Sequence, residues 1–260
     1  MMDKSIKDLF GLNGQTVLIT GAARGIGLET SRLLAAVGAR IFMVDRDESA
    51  LQEAHVNLVA TGADATMFTA DLAEPDAPQR IFESFDRQYQ KLDILINNAA
   101  LVQRLPATEL TPERWRQAMT VNLDATFELC RLAHPRFKSN GSGAIVNMAS
   151  IMALSGGGFY PIASYHASKG GVVHLTRALA VEWGADAIRV NAIAPSWIKT
   201  DFNSDFLEQD GIAETLLASV PLKKFGTTQD VAAAVLYLVS PAASMITGHI
   251  LAVDGGFLAH

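Results

Sequence analysis

Short apolar runs alternate along this chain with longer stretches in which apolar side chains recur at helical spacing. The runs at Thr16–Thr20, Arg40–Val44, Ala65–Thr69, Leu92–Ile96, Ala144–Met148, Arg189–Ile193 and Ile250–Val253 read as strands buried on both faces. Between them lie helical patterns: Ile26 to Val37, Ser49–Ala60, Pro75–Tyr89 with a proline in its first turn, and Tyr165–Trp183. Thr111 and Pro112 cap a long helix over Arg114–Phe137, which Pro135 is expected to end or kink. The segment 139–143 is a loop by composition, Phe202–Ser219 is a polar and mobile insertion, and Leu9, Phe10 and Leu12 pack beneath the first strand.

Alternating β and α units predict a parallel sheet covered on both faces, with right-handed crossovers that make it doubly wound. The expected fold is therefore α/β, a single Rossmann-type domain over 1–260 with about seven strands. Its cofactor half covers about 14–150 and its catalytic and substrate half about 150–260. Ligands of such sheets bind beyond the carboxyl ends of the strands, which directs attention to the residues after strands one, four, five and six.

Composition narrows the field. Apolar residues make up 49% and charged residues 18% of the chain, the balance of an ordered soluble globule. A net charge of −6 leaves no basic footprint for nucleic acid. No apolar run approaches the ~20 residues of a membrane span, and the first fifteen residues carry charges without the apolar core of a secretory signal. The single cysteine, Cys130, excludes an internal disulfide, reads as core, and suits a reducing, cytoplasmic setting. No cluster of His, Cys and Asp has ligand spacing, so no metal is expected.

The first strand runs into three glycines, Gly21, Gly25 and Gly27, and then into a helix. Unpaired N–H groups and the positive end of the helix dipole make that junction a phosphate site, and glycine lets the backbone approach a pyrophosphate. About twenty residues on, Asp45 ends the second strand, where a carboxylate can accept from the ribose hydroxyls of an adenosine and repel a 2′-phosphate. NAD is favoured over NADP, against the opposing pull of the cations Arg24 and Arg46. After strand five comes Ser150, and the next helix begins with Tyr165 and Lys169, four apart and therefore on one face. An ammonium beside a phenol favours the phenolate and is expected to lower the Tyr165 pKa, so that the phenol can exchange a proton with an alcohol or carbonyl oxygen that Ser150 also holds.

These residues, with Asp71, Asn97-Asn98-Ala99, Asn122, Pro195 and Thr200, resemble the short-chain dehydrogenase/reductase family over essentially the whole chain. The resemblance implies a catalytic set of Asn122, Ser150, Tyr165 and Lys169, with Tyr165 as acid/base, Lys169 also on the nicotinamide ribose, and Asn122 holding a proton-relay water. It implies further cofactor contacts from Ile26, Asp71, Leu72, Asn98, Ala99, Pro195, Ile198 and Thr200. It also implies a homotetramer paired through the long helices. Three departures stand out: Ala100 and the pair Ser196-Trp197 where glycine is usual, and a Ser150–Tyr165 interval about two residues longer than is common, carrying a glycine-rich loop.

Gln103, Arg104, Met152, Phe159, Tyr160 and Trp197 are the candidate substrate residues, a mixture more polar than a steroid or acyl pocket favours. The motif set is similar to bacterial sugar, sugar-acid and polyol dehydrogenases, which implies hydride transfer from a secondary alcohol of such a small molecule to NAD. The alternatives are an NADPH-dependent ketone or 3-oxoacyl-thioester reductase and, from another class, a non-catalytic cofactor-sensing module.

Overall fold

The computed structural model describes residues 4–157, 160–200 and 204–259. Helix α1 (Lys4–Phe10) leads into β1 (Thr16–Thr20), α2 (Gly25–Ala36), β2 (Arg40–Asp45), α3 (Glu48–Val59), β3 (Ala65–Thr69), α4 (Ala77–Gln88) and β4 (Ile94–Asn97). Helix α5 (Pro112–Met119) continues through a π-helical turn, Thr120–Asp124, into α6 (Ala125–Asn140), followed by β5 (Gly143–Met148), α7 (Ala163–Trp183) and β6 (Ile188–Pro195). Two short helices, α8 (Ser204–Leu207) and α9 (Ile212–Ala218), precede α10 (Thr228–Val239) and β7 (Ile250–Val253).

The strands form one seven-stranded sheet in the order β3-β2-β1-β4-β5-β6-β7. Every pairing is parallel. A parallel sheet needs a crossover between successive strands, and here helices supply them, so both faces are covered. One face packs Val17, Ile19, Ile41 and Met43 against α2, α3 and α10 residues such as Leu34, Leu51 and Val235. The other packs Leu18, Phe42, Leu95 and Ile145 against Ile81, Phe85, Leu129 and Leu179. Alternate residues of one strand thus enter opposite cores, which is why the strands read as continuous apolar runs. Strand order reverses between β1 and β4, and the cleft described below opens there.

Several elements differ from the sequence expectation. Helix α4 starts at Ala77 with Pro78 in its first turn, so Pro75 lies outside it. Pro135 neither ends nor interrupts α6, which runs on to Asn140 and stops at Gly141 in the left-handed region. Of Leu9, Phe10 and Leu12 only Leu12 is fully buried, in the core of Val17 and Ile19, while Leu9 is exposed. The stretch expected to be mobile contains α8 and α9, whose Phe206, Leu207 and Leu216 are buried with Ile151 and Trp197. Helix α10 had no counterpart in the periodicity reading. It begins with a capping box in which Thr227 and Asp230 exchange side-chain-to-backbone hydrogen bonds.

Candidate active site

The three glycines do different work. Gly21 and Gly25 have φ of +66° and +56°, conformations that L side chains rarely adopt. A Cβ on Gly21 would lie 2.8 Å from Asn98 Nδ2 and 2.9 Å from Ala99 Cα, so the β1 and β4 ends can approach only around a glycine. Gly27 does not line the cleft. A Cβ there would meet the Gly21 carbonyl oxygen at 2.0 Å, so this glycine lets α2 rest on the end of β1. Asn98 completes the junction by donating from Nδ2 to the carbonyls of Thr20 and Gly21, each at 3.0 Å. Behind it, Asn97 donates to Asn147 Oδ1 at 2.8 Å and ties β4 to β5. Cys130 lies against this pair in full burial, its thiol pushed up to about 12, in keeping with a core residue.

A cleft of about 410 Å³ runs from this turn across the carboxyl edge of the sheet. Its first end is lined by Gly21, Arg24, Gly25, Ile26, Asp45 and Arg46, with Asp71, Leu72, Asn98 and Ala99 beside them. Asp45 Oδ2 accepts from the Ala23 N–H at 3.0 Å and Oδ1 from the Asp47 N–H at 3.1 Å, which fixes the carboxylate at the tip of β2. Asp71 accepts from the Ala73 N–H at 2.9 Å. Ser150, Tyr165, Lys169, Pro195, Ile198 and Thr200 line the same cleft farther along, and Arg104, Met152, Tyr160 and Trp197 line its other end. Fixed carboxylate, glycine cradle and helix N-terminus together fit a dinucleotide.

Around the proposed reacting group the structure departs from expectation. Desolvation pushes the Tyr165 phenol up to about 12, and the hydrogen bond to the Ser150 side chain only partly opposes this. Lys169 does not counter it. Its Nζ donates to the Met148 carbonyl oxygen at 2.6 Å and stands 5.7 Å from the centre of the Tyr165 ring. Burial lowers the Lys169 pKa to about 8. The expected lowering of the tyrosine by its lysine is therefore absent in the protein alone, because four-residue spacing sets the helix face but not where a flexible ammonium finds an acceptor.

Asn122 sits in the π-helical turn, fully buried and outside the cleft lining. Its Oδ1 accepts from the Leu101 N–H at 2.7 Å, and its Nδ2 donates to the Leu101 carbonyl at 2.8 Å and to Ser168 Oγ at 3.0 Å. The side-chain amide thus clamps the segment after β4 to the turn before α6 and to α7.

At the far end, Trp197 is buried and its Nε1–H donates to Tyr160 Oη at 2.9 Å. Tyr160 packs edge-on to Phe206, with centroids 4.5 Å apart, and the Arg104 guanidinium lies 4.6 Å above the Phe206 ring. No carboxylate pairs with Arg104 among the described residues. Gln103 turns away from the cleft and donates to Gln117 at 3.1 Å. Phe159 lies outside the described residues. Among the lining residues that sequence reasoning did not single out are Asp47, which has the signature of a helix N-cap, and Phe206, which the insertion hid. Among the described residues no group of acidic, histidine or cysteine side chains could hold a metal. No helix there is long and apolar enough to cross a membrane.

The family model described as enoyl-(acyl carrier protein) reductase matches residues 21–258. Galactitol 2-dehydrogenase (L-tagatose-forming) of Cereibacter sphaeroides is 39% identical over 96% of this chain and 98% of that protein. 2-Dehydro-3-deoxy-D-gluconate 5-dehydrogenase of Bacillus subtilis is 36% identical over 97% and 98%. Among solved structures, a gluconate 5-dehydrogenase from Burkholderia cenocepacia, in complex with NADP and tartrate, superposes with a TM-score of 0.92 at 30% identity and covers 98% of this chain and 99% of its own.

Proposed function

This chain belongs to the short-chain dehydrogenase/reductase family and is an oxidoreductase, and we propose that it oxidises a secondary alcohol of a polyol or sugar acid with NAD. The observation that carries this reading is the single cleft that has Asp45 and the glycine turn at one end and Ser150, Tyr165 and Lys169 in the middle. The polar far end, with Arg104, Tyr160 and Trp197, fits a hydroxylated substrate better than a long acyl chain. The relatives named above act on a polyol and on a sugar acid, which supports the same class.

Bound nicotinamide supplies the hydride acceptor. Tyr165 Oη takes the substrate hydroxyl proton, and Ser150 Oγ steadies the same oxygen. Lys169, buried beneath the phenol, supplies the positive charge that favours its ionised form once the ammonium turns from Met148. Asp45 selects NAD by accepting from the ribose hydroxyls and repelling a 2′-phosphate. The Arg104 guanidinium, unpaired among the described residues and exposed at the mouth, is suited to a substrate carboxylate. Trp115, Phe127 and Val181, exposed apolar residues on α5, α6 and α7, support the reading of a homotetramer paired through those helices.

The test is turnover of NAD and NADP with polyols, sugar acids, apolar ketones and acyl thioesters, run on wild type, Tyr165→Phe and Arg104→Gln. NAD-linked oxidation of a polyol or sugar acid is expected, with Tyr165→Phe losing ~10²–10⁴-fold in kcat. Arg104→Gln should raise KM for carboxylate substrates while leaving neutral polyols within about twofold. The NADP found in the Burkholderia structure and the cations Arg24 and Arg46 favour a second reading, an NADPH-dependent reductase. Preference for NADPH with apolar ketones would establish that reading and remove the first.

A further inference from the structure

Arg24, Asp45, Arg46 and Asp47 line the ribose end of the cleft, with Asp71 beside them. Two cations would ordinarily make this a good seat for a 2′-phosphate. The structure shows why one of them is not offered. Arg24, the residue before the first turn of α2, reaches across to the turn after β2 and pairs through its guanidinium with Asp47 Oδ2. Asp47 Oδ1 is also committed, accepting from the Ala50 N–H at 3.1 Å as the N-cap of α3. The Asp47 carboxylate therefore bridges two structures, the start of α3 and the arginine of the glycine turn. These bonds, with Arg24 and Arg46 close by, hold its pKa below the usual carboxylate value, so the bridge is charged at neutral pH.

From this geometry we infer that Asp47 is a second determinant of cofactor choice, acting as a positioning residue that keeps Arg24 away from the ribose 2′ position. Asp45 and Asp47 have separate tasks. Asp45 repels the phosphate directly, from a carboxylate pinned by the N–H groups of Ala23 and Asp47. Asp47 removes a cation that would offset that repulsion. With both present, neither acidic side chain leaves Arg24 available to a 2′-phosphate. Neutralising Asp47 alone removes one negative charge and leaves an arginine free to swing toward the ribose, while Asp45 stays in place. The inference rests on the reading of this end as the adenosine-ribose pocket and goes beyond it, because a preference set by Asp45 alone would not respond to Asp47.

The experiment measures binding by calorimetry, independently of turnover. The probes are 2′,5′-ADP and 5′-AMP, adenosine nucleotides that differ by the 2′-phosphate. The proteins are wild type, Asp47→Asn, Asp47→Ser, Arg24→Gln and the double variant Arg24→Gln/Asp47→Asn. Asparagine and serine cap a helix about as well as aspartate, so α3 keeps its start and either variant can stand in if the other folds poorly. Removal of the Asp47 charge is expected to shift the affinity ratio toward 2′,5′-ADP by about tenfold or more, with Arg24→Gln in the double variant abolishing the gain. A ratio within twofold of wild type in both Asp47 variants would overturn the inference and leave the pocket assignment standing. A gain that survives in the double variant would also overturn it, since the phosphate would then be sensing charge without Arg24. Wild type that binds neither probe would overturn the pocket assignment and the inference together.

Discussion

Lys169 places an ammonium in the interior with the Met148 carbonyl as its acceptor and no carboxylate paired to it among the described residues. Such a charge is costly, and burial answers by lowering its pKa from 10.5 to about 8. The consequence for stability has a definite sign. Between pH 8 and 10.5 the unfolded chain keeps this proton and the folded protein has released it, so stability attributable to Lys169 rises with pH across that window. Tyr165 behaves oppositely at higher pH. Its pKa is raised from 10.0 to about 12, so the unfolded chain ionises first and stability falls from about pH 10 upward. Urea unfolding at pH 7.5 and pH 9.5, in wild type and Lys169→Met, isolates the lysine below the tyrosine window. The wild type should gain on the variant by about 1–2 kcal/mol between the two pH values. A difference that stays flat would mean that the ammonium finds a charged partner in solution.

At the scale of elements, the strands were legible because a parallel sheet buried on both faces writes itself as continuous apolar runs. The glycine turn was legible because each glycine answers a local demand, such as the positive φ of Gly21. What stayed hidden depends on distant partners. The π-helical turn around Asn122 goes with amide bonds to Leu101, twenty-one positions away, which no local pattern encodes. The burial of Phe206 and Leu216 depends on Ile151 and Trp197 from other loops. The direction of the Lys169 ammonium depends on the Met148 carbonyl of β5. Helix α10 is another case, since its signal was local: Thr227 with Asp230 three residues on, before an apolar run. That cap gives a direct check. Thr227→Ala should destabilise the protein by about 1 kcal/mol, and Thr227→Ser should restore most of the loss. Equal stability of the alanine and serine variants would show that α10 is held by the burial of Val231, Val235 and Leu238 alone, without help from its cap.

At the scale of the whole molecule, the cleft draws its lining from both halves of the sheet. Asp45 and the glycine turn belong to β1, β2 and α2, whereas Ser150 follows β5, Tyr165 lies on α7, Pro195 ends β6 and Thr200 follows it. A dinucleotide extended along this cleft would touch both sides of the point where strand order reverses, so its binding should oppose unfolding of the whole sheet and not of one edge. Linkage sets the size of the effect: NAD at a hundredfold excess over its dissociation constant should stabilise the fold by ~2.7 kcal/mol. For a chain of this length that corresponds to a rise in Tm of about 5–10 °C. Scanning calorimetry with NAD, NADP and neither should show one transition throughout, moved further by NAD than by NADP at matched concentration. A second transition that NAD leaves in place would mean that part of the sheet unfolds without disturbing the cleft. An equal shift by both nucleotides would mean that Asp45 and Asp47 do not discriminate at the 2′ position.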